Sequence, residues 1–197
     1  AGMATFEKGA WAWLQDDDEC YIPVQAVLAF KAGSTATVRT QDGSERKLSA
    51  AQTAEGSLAA MDEQSLVSQT NMVNFNELTE AVLLHNLRQR YAMDEIYTSV
   101  GSILVAINPF KELPIYTPDM MLKYINSGGK ERAGRSDPLP PHCWQVAIRA
   151  YRALLSDFSN QAVCISGESG AGKTESMKLI LQALAQVSAK AARLSAV

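Results

Sequence analysis

The sequence predicts an α/β fold with a small β-rich unit ahead of it. Three observations carry this. Residues 9–50 hold four short segments of apolar and β-branched residues at hairpin spacing. Two brief, almost wholly apolar runs follow at 102–107 and 162–165, the composition of strands covered on both faces of a sheet. The second run then passes through a glycine-rich turn into a helical apolar stripe of Met177, Ile180, Leu181, Leu184 and Val187.

The front segments are marked by Trp11, Trp13, Tyr21, Ile22, Val24, Val27, Leu28, Phe30, Val38 and Leu48. Asp16-Asp17-Asp18-Glu19 interrupts them as a charged hairpin loop. Asp42-Gly43 supplies a tighter turn, because that pair suits the positive-φ positions of a short hairpin. Four strands in so short a span predict a small barrel, with residues 50–56 as a linker. No catalytic grouping occurs in residues 1–50.

From 76 to 91 the spacing turns helical, with Leu84, Leu87 and Tyr91 at intervals of three and four. His85 lies in this segment, but no second His, Cys or acid pairs with it at a metal-ligand spacing. The run 102–107 stops at Asn108-Pro109, where proline removes a ladder donor and pushes its predecessor out of helical space. Residues 127–137 read as a polar, glycine-rich surface loop with three basic side chains. Pro140-Pro141-His142 opens the next helix, whose apolar face is Trp144, Ile148, Tyr151, Leu155 and Phe158.

Composition excludes several classes. Of the 197 residues 47% are hydrophobic and 20% charged, which fits a packed globular chain. The net charge of −3 offers no basic excess for nucleic acid or an anionic membrane. No apolar run approaches the ~20 residues of a membrane helix. The first residues lack a signal-peptide stretch. Cys20, Cys143 and Cys164 are scattered, and read as buried reduced thiols of a cytoplasmic protein.

The chemistry concentrates at Gly167-Glu168-Ser169-Gly170-Ala171-Gly172-Lys173-Thr174, which fits G-x-x-x-x-G-K-[ST] at every fixed position. Chance gives such a match in roughly one sequence of this length in two hundred. The setting, an apolar strand before and an amphipathic helix after, makes coincidence rarer still. Triphosphate oxygens must approach successive backbone N–H groups, and side chains at Gly167 and Gly172 would obstruct them. The helix N-terminus adds unpaired N–H groups and about half a positive charge. Lys173 is placed to reach the β- and γ-phosphates, and the Thr174 hydroxyl to ligate Mg²⁺. The loop by itself leaves kinases, transporters, GTPases and motors open.

The filled-in loop with Glu175 resembles the form characteristic of myosins. Ser102-Ile103-Leu104-Val105-Ala106-Ile107-Asn108-Pro109-Phe110-Lys111-Glu112-Leu113-Pro114-Ile115-Tyr116 is similar to the family's strand and adenine-binding segment. Val82-Leu83-Leu84-His85-Asn86-Leu87 is similar to its Leu-His-Asn-Leu helix, and Pro141-His142 leading to Ala150-Tyr151-Arg152 gives a fourth match. The four occur in the family's order over about residues 72–187. Trp11 and Trp13 suit the SH3-like barrel that many myosins carry in front. Glu112 departs from the basic residue of some members.

The resemblance implies an α/β P-loop NTPase of the myosin motor type, incomplete, preceded by a small SH3-like β-barrel. It divides the chain into 1–56, barrel and linker, and 57–197, the start of the motor including the P-loop. It implies that Asn108, Pro109 and Tyr116 contact the adenine of ATP and that 167–174 hold its phosphates, with Thr174 on Mg²⁺. It implies an actin-dependent ATPase motor, cytoplasmic and cytoskeleton-associated, with actin filaments and calmodulin-like light chains as partners elsewhere in the full chain. The family's two switch segments do not occur here, so no catalytic residue is expected within the chain, and alone it is expected to be inactive. The family also places a further sheet strand, from far downstream, between the 103 and 163 runs. The alternatives are another P-loop ATPase or kinase, or a non-catalytic nucleotide-binding module.

Overall fold

The computed structural model describes residues 4–127 and 139–195, so positions 128–137 of the expected polar loop lie outside it. Two compact units divide between Arg90 and Tyr91.

Strands β1 (Thr5–Phe6), β2 (Trp11–Asp16), β3 (Cys20–Ala26), β4 (Phe30–Lys31), β5 (Ala36–Thr40), β6 (Glu45–Leu48) and β7 (Leu58–Ala60) build the first unit, with most of helix α1 (Glu80–Ala92). Both sequence-predicted turns form. The Asp16 carboxylate accepts the N–H groups of Asp18 and Glu19 at 3.1 and 3.0 Å, which closes the β2–β3 hairpin despite its four acids. Gly43 sits at φ 87° in the β5–β6 turn, and the Asp42 carboxylate accepts from Ser44 N–H at 3.1 Å. That carboxylate's pKa is held down to about 2, first by the Thr40 hydroxyl and then by Ser44.

The main sheet has the order β6-β5-β3-β2-β7, antiparallel throughout. The barrel expected from the sequence is not closed among the described residues: β6 and β7 are opposite edges. The β1–β4 pair covers one side of the sheet instead, with Phe6 and Phe30 stacked at 5.0 Å. Alternation explains the core. Ala12 and Leu14 join Phe6, Val24, Val38 and Leu48, while Trp13 is buried too and meets the His85 ring of α1 edge-on at 5.3 Å. The 50–56 segment buries Thr53, whose hydroxyl donates to Ser34 O at 2.6 Å. Beyond it β7 returns to pair with β2, Ala60 opposite Ala12.

Helix α1 departs from the expected stripe. Leu84 and Leu87 are half-buried and Tyr91 is exposed, whereas Val82, His85, Asn86 and Arg90 are buried. Specific hydrogen bonds make this affordable. Asn86 Oδ1 accepts from Gln69 N–H at 2.7 Å while its Nδ2 donates to Gln69 O at 3.0 Å. Arg88 donates to Tyr21 O at 3.2 Å and pairs with the Glu19 carboxylate at 3.0 Å.

The second unit holds the antiparallel pair β8 (Tyr97–Val100) and β9 (Ile103–Ala106), then α2 (Pro118–Ser127), α3 (Cys143–Asp157) and α4 (Lys173–Ser195). Its core joins Ile96, Tyr97, Tyr124, Trp144, Ile148 and Ala183. Pro140 and Pro141 precede α3 rather than opening it, and His142 is its N-cap. Its ring Nδ1 accepts from Trp144 N–H at 3.2 Å, and the Gln145 side chain accepts from His142 N–H at 3.2 Å. Of the expected α3 face Trp144 and Ile148 are buried, but Leu155 and Phe158 are exposed.

The run 162–165 corrects another expectation. It pairs with no strand among the described residues, and Val163 and Ile165 are 38% and 37% exposed. β9 likewise pairs only with β8 among those residues. A groove of about 580 Å³ is lined by Ile103 and Leu104 of β9 and by Val163 and Ile165. Both runs have the composition of strands covered on both faces, yet among the described residues each is covered only in part. The cysteines also differ from expectation: Cys143 is buried, but Cys164 in this run is exposed, and so is Cys20 at the β2–β3 hairpin.

Candidate functional site

The loop 167–172 is shaped by its glycines. Gly167 has φ 153°, and a Cβ added there would lie 3.1 Å from the Ala171 Cβ. Gly170, at φ 82°, lets the chain turn back so that Ala171 N–H bonds to Glu168 O at 3.2 Å. Helix α4 begins directly after, with Ser176 N–H donating to Gly172 O at 2.9 Å. The amides ahead of Ser176 have no carbonyl one turn back, so the positive end of a 23-residue helix faces the loop.

Lys173 folds over this loop. Its ammonium donates to Gly167 O at 2.8 Å and to Glu168 O at 2.7 Å. Thr174, the second residue of α4, is exposed. The groove beside β9 also has Ala171, Lys173 and Ser176 in its lining.

Of the residues expected at a base, Asn108 is brought against the loop. It follows the end of β9, and its Nδ2 donates to Gly170 O at 2.8 Å. Its Oδ1 accepts from Phe110 N–H at 2.9 Å, a turn across Pro109 that holds Phe110 at φ 50° with its ring exposed. An ion pair between Lys111 and Asp94 lies just beyond.

Tyr116 sits differently. Its hydroxyl lies 2.9 Å from that of Tyr97, and its ring meets His142 and Trp144 edge-on at 5.4 and 6.0 Å. Burial raises the pKa values of both tyrosines. His142 lies among Tyr97, Tyr116, Tyr124 and Trp144, and burial pushes its imidazole down to about 4 against a smaller opposing pull from the Ile115 backbone. Because Nδ1 accepts from a backbone N–H, the neutral ring carries its proton on Nε2. The sequence reading named His142 at the start of α3 but did not foresee its ring cap, nor the Asn108–Gly170 contact. The signal for the first was present as His-x-x-Gln directly after two prolines.

The residues fit a magnesium-bound polyphosphate. Gly167 is kept free of a Cβ by a close neighbour, a lysine ammonium bonds to the loop itself, and a hydroxyl follows at the helix start. Among the described residues no group of three His, Cys, Asp or Glu could hold a metal by itself, so a magnesium ion here would take most of its ligands from phosphate and water.

The family model for the myosin head (motor domain) matches residues 69–197. This chain belongs to the myosin family. It is 39% identical over 157 residues to the high molecular weight form of myosin-1 of Acanthamoeba castellanii, covering 79% of this chain and 9% of that protein. It is 39% identical over 190 residues to myosin-VIIa of Drosophila melanogaster, covering 95% and 8%. To myosin-15 of Arabidopsis thaliana it is 37% identical over 185 residues, covering 93% and 11%. The chain thus spans about a tenth of these myosins. The matched myosin head residues include the loop, Asn108, Tyr116 and the His142 cap. Among the described residues no helix is long and apolar enough to cross a membrane.

Proposed function

We propose that this chain is the nucleotide-binding front of an actin-based, ATP-driven motor. The observation that carries the proposal is the loop 167–172 leading into α4, with the Lys173 ammonium poised over its carbonyls. In this reading the amides of 167–174 hold the phosphates of ATP, Lys173 shifts from the Gly167 and Glu168 carbonyls to the β- and γ-phosphates, and the Thr174 hydroxyl is a ligand of Mg²⁺. A magnesium ion held there would offset the negative charge of the phosphates. Asn108, Pro109 and Tyr116 form the adenine side. The Asn108 contact with Gly170 supports this, while Tyr116 needs to turn from Tyr97 to reach a base.

The wider function follows from family membership. Family members carry the segments that orient the attacking water, and the actin-contacting loops, after the phosphate loop. Hydrolysis coupled to actin binding, light chains of the calmodulin type, and a cytoplasmic, cytoskeletal location are therefore proposed for the intact protein. A nucleic-acid partner is not proposed. The front sheet is proposed as an open relative of the SH3-like barrel; the proposed division into 1–56 and 57–197 leaves β7, which pairs with β2, on the motor side. The groove between β9 and 162–165 supports a sheet completed by a strand from elsewhere in the protein.

Titration of the intact protein with a fluorescent ATP analogue, competed with ATP and GTP, tests the reading. We expect ATP to compete better than GTP, and filamentous actin to speed phosphate release. No binding of either nucleotide would overturn it. Another P-loop ATPase or kinase would bind nucleotide without any response to actin.

A further inference from the structure

The side-chain amide of Asn108 is engaged at both ends: Oδ1 with Phe110 N–H at 2.9 Å, and Nδ2 with the Gly170 carbonyl oxygen at 2.8 Å. The second bond spans 62 positions of sequence and joins the segment after β9 to the middle of the phosphate loop. We infer that Asn108 is a positioning residue for phosphate binding, a brace that fixes the Gly170–Ala171 peptide plane whatever base the nucleotide carries. The inference rests on the nucleotide reading above and adds a second role for Asn108.

The physical case starts with Gly170. Its φ of 82° lies where only glycine is comfortable, and a glycine can also leave that region cheaply. Without a Cβ at Gly170, the peptide after it can also rotate about the glycine's ψ with little hindrance. A flip exchanges the positions of a C=O and an N–H, and so replaces attraction for a phosphate oxygen by repulsion. The plane is held from two sides. Ala171 N–H bonds to Glu168 O at 3.2 Å, a long bond within the loop, and Gly170 O receives the shorter bond from Asn108. Asn108 can serve as a fixed post because its other end is tied into the turn to Phe110. One N–H of Nδ2 and one lone pair of Oδ1 stay available to a base, so the two roles are compatible.

Base contact and brace differ in what they do to a ligand without a base. The test is calorimetric titration of the intact protein with Mg·ATP and with Mg·pyrophosphate, alongside its Asn108→Asp and Asn108→Ser variants. Either replacement can keep the turn to Phe110. Aspartate presents an acceptor to Gly170 O, and serine does not reach it. We expect ATP and pyrophosphate affinities to fall together, by about tenfold for serine and more for aspartate. The melting temperature of each variant shows the folded fraction, and affinities are taken per folded molecule. A purely structural role would lower that temperature and leave those affinities intact, which overturns the brace. Loss of ATP affinity with pyrophosphate unchanged also overturns it and leaves Asn108 as a base contact alone. If the unaltered protein binds neither ligand, the nucleotide reading itself falls.

Discussion

Lys173 Nζ lies 2.8 Å from the carbonyl oxygen of Gly167, six residues earlier in the chain. With the second bond to Glu168 O, the lysine closes a ring over its own loop. The cation proposed to recognise phosphate therefore also holds the loop in shape. A phosphate that draws the ammonium away must replace both bonds.

Lys173→Ala in the intact protein should weaken ATP binding by ~1.5–3 kcal/mol, or roughly ten- to a hundredfold, for one lost charge-assisted contact. It should also loosen the loop, because Gly167 O and Glu168 O lose their donor. Titration with a fluorescent ATP analogue and amide hydrogen exchange over 167–172 check the two effects. Unchanged affinity would remove Lys173 from the phosphate site.

Gly167→Ala should disrupt the same loop by a different route. The new Cβ meets Ala171 Cβ at 3.1 Å, and φ 153° is a region that L-residues rarely adopt. Strain of this kind costs about 1–3 kcal/mol. We expect a lower melting temperature together with weaker nucleotide binding, whereas Gly33→Ala, far in sequence and with open space around it, should leave binding unchanged.

Acid should destabilise the second unit through His142. Its folded pKa of about 4 lies below the unfolded value of 6.5. Between those limits the unfolded chain binds more protons, so stability is fully present above pH 6.5 and is lost as pH falls toward 4. The loss over that window is about 3 kcal/mol. Burial is the main cause, and in the cap a protonated Nδ1 would also be a donor facing the Trp144 N–H donor. His85, in the first unit, is shifted the same way by burial and then by Arg88, and should make that unit acid-sensitive in the same direction. Chemical denaturation of the His142→Asn variant, which keeps a capping acceptor without a titrating ring, should show a flatter dependence on pH.

Much of the site was legible because it is local. The start of α4 and the stop at Asn108-Pro109 follow from neighbouring residues and form as read, while the strand expected before the loop does not form among the described residues. The failures share one cause, which is that burial is decided by partners distant in sequence. Periodicity chose Leu84 and Leu87 for the buried face of α1, but Asn86 and Arg88 find backbone partners at Gln69 and Tyr21 that no local pattern announces. The run 162–165 has the composition of a covered strand but is unpaired among the described residues, which fits the proposed completion of the sheet by a strand from elsewhere. Tyr116, proposed at the base, also packs its ring against His142 and Trp144, contacts that no local pattern announces.

Thiol labelling should report on the groove beside 162–165. In the 197-residue chain Cys164 and Cys20 should react quickly with a thiol reagent and Cys143 slowly. In the intact protein Cys164 should become slow if a further strand covers it, while Cys20 stays fast. Equal Cys164 rates in both would argue against completion of the sheet at that groove. We further expect the 197-residue chain to show no actin-stimulated phosphate release.

The paired hydrogen bonds between Asn86 and the backbone of Gln69 make the two positions unequal under mutation. Asn86 contributes its side chain, while position 69 contributes only the N–H and C=O that every residue but proline possesses. Random substitution should therefore be borne freely at 69 and hardly at all at 86. Aspartate at 86 lacks the donor, leucine leaves both backbone groups unanswered, and glutamine does not fit the same reach in a fully buried site. A tolerance map of this segment would show a single sharp minimum at the asparagine, facing a partner whose side-chain identity hardly matters and at which only proline fails.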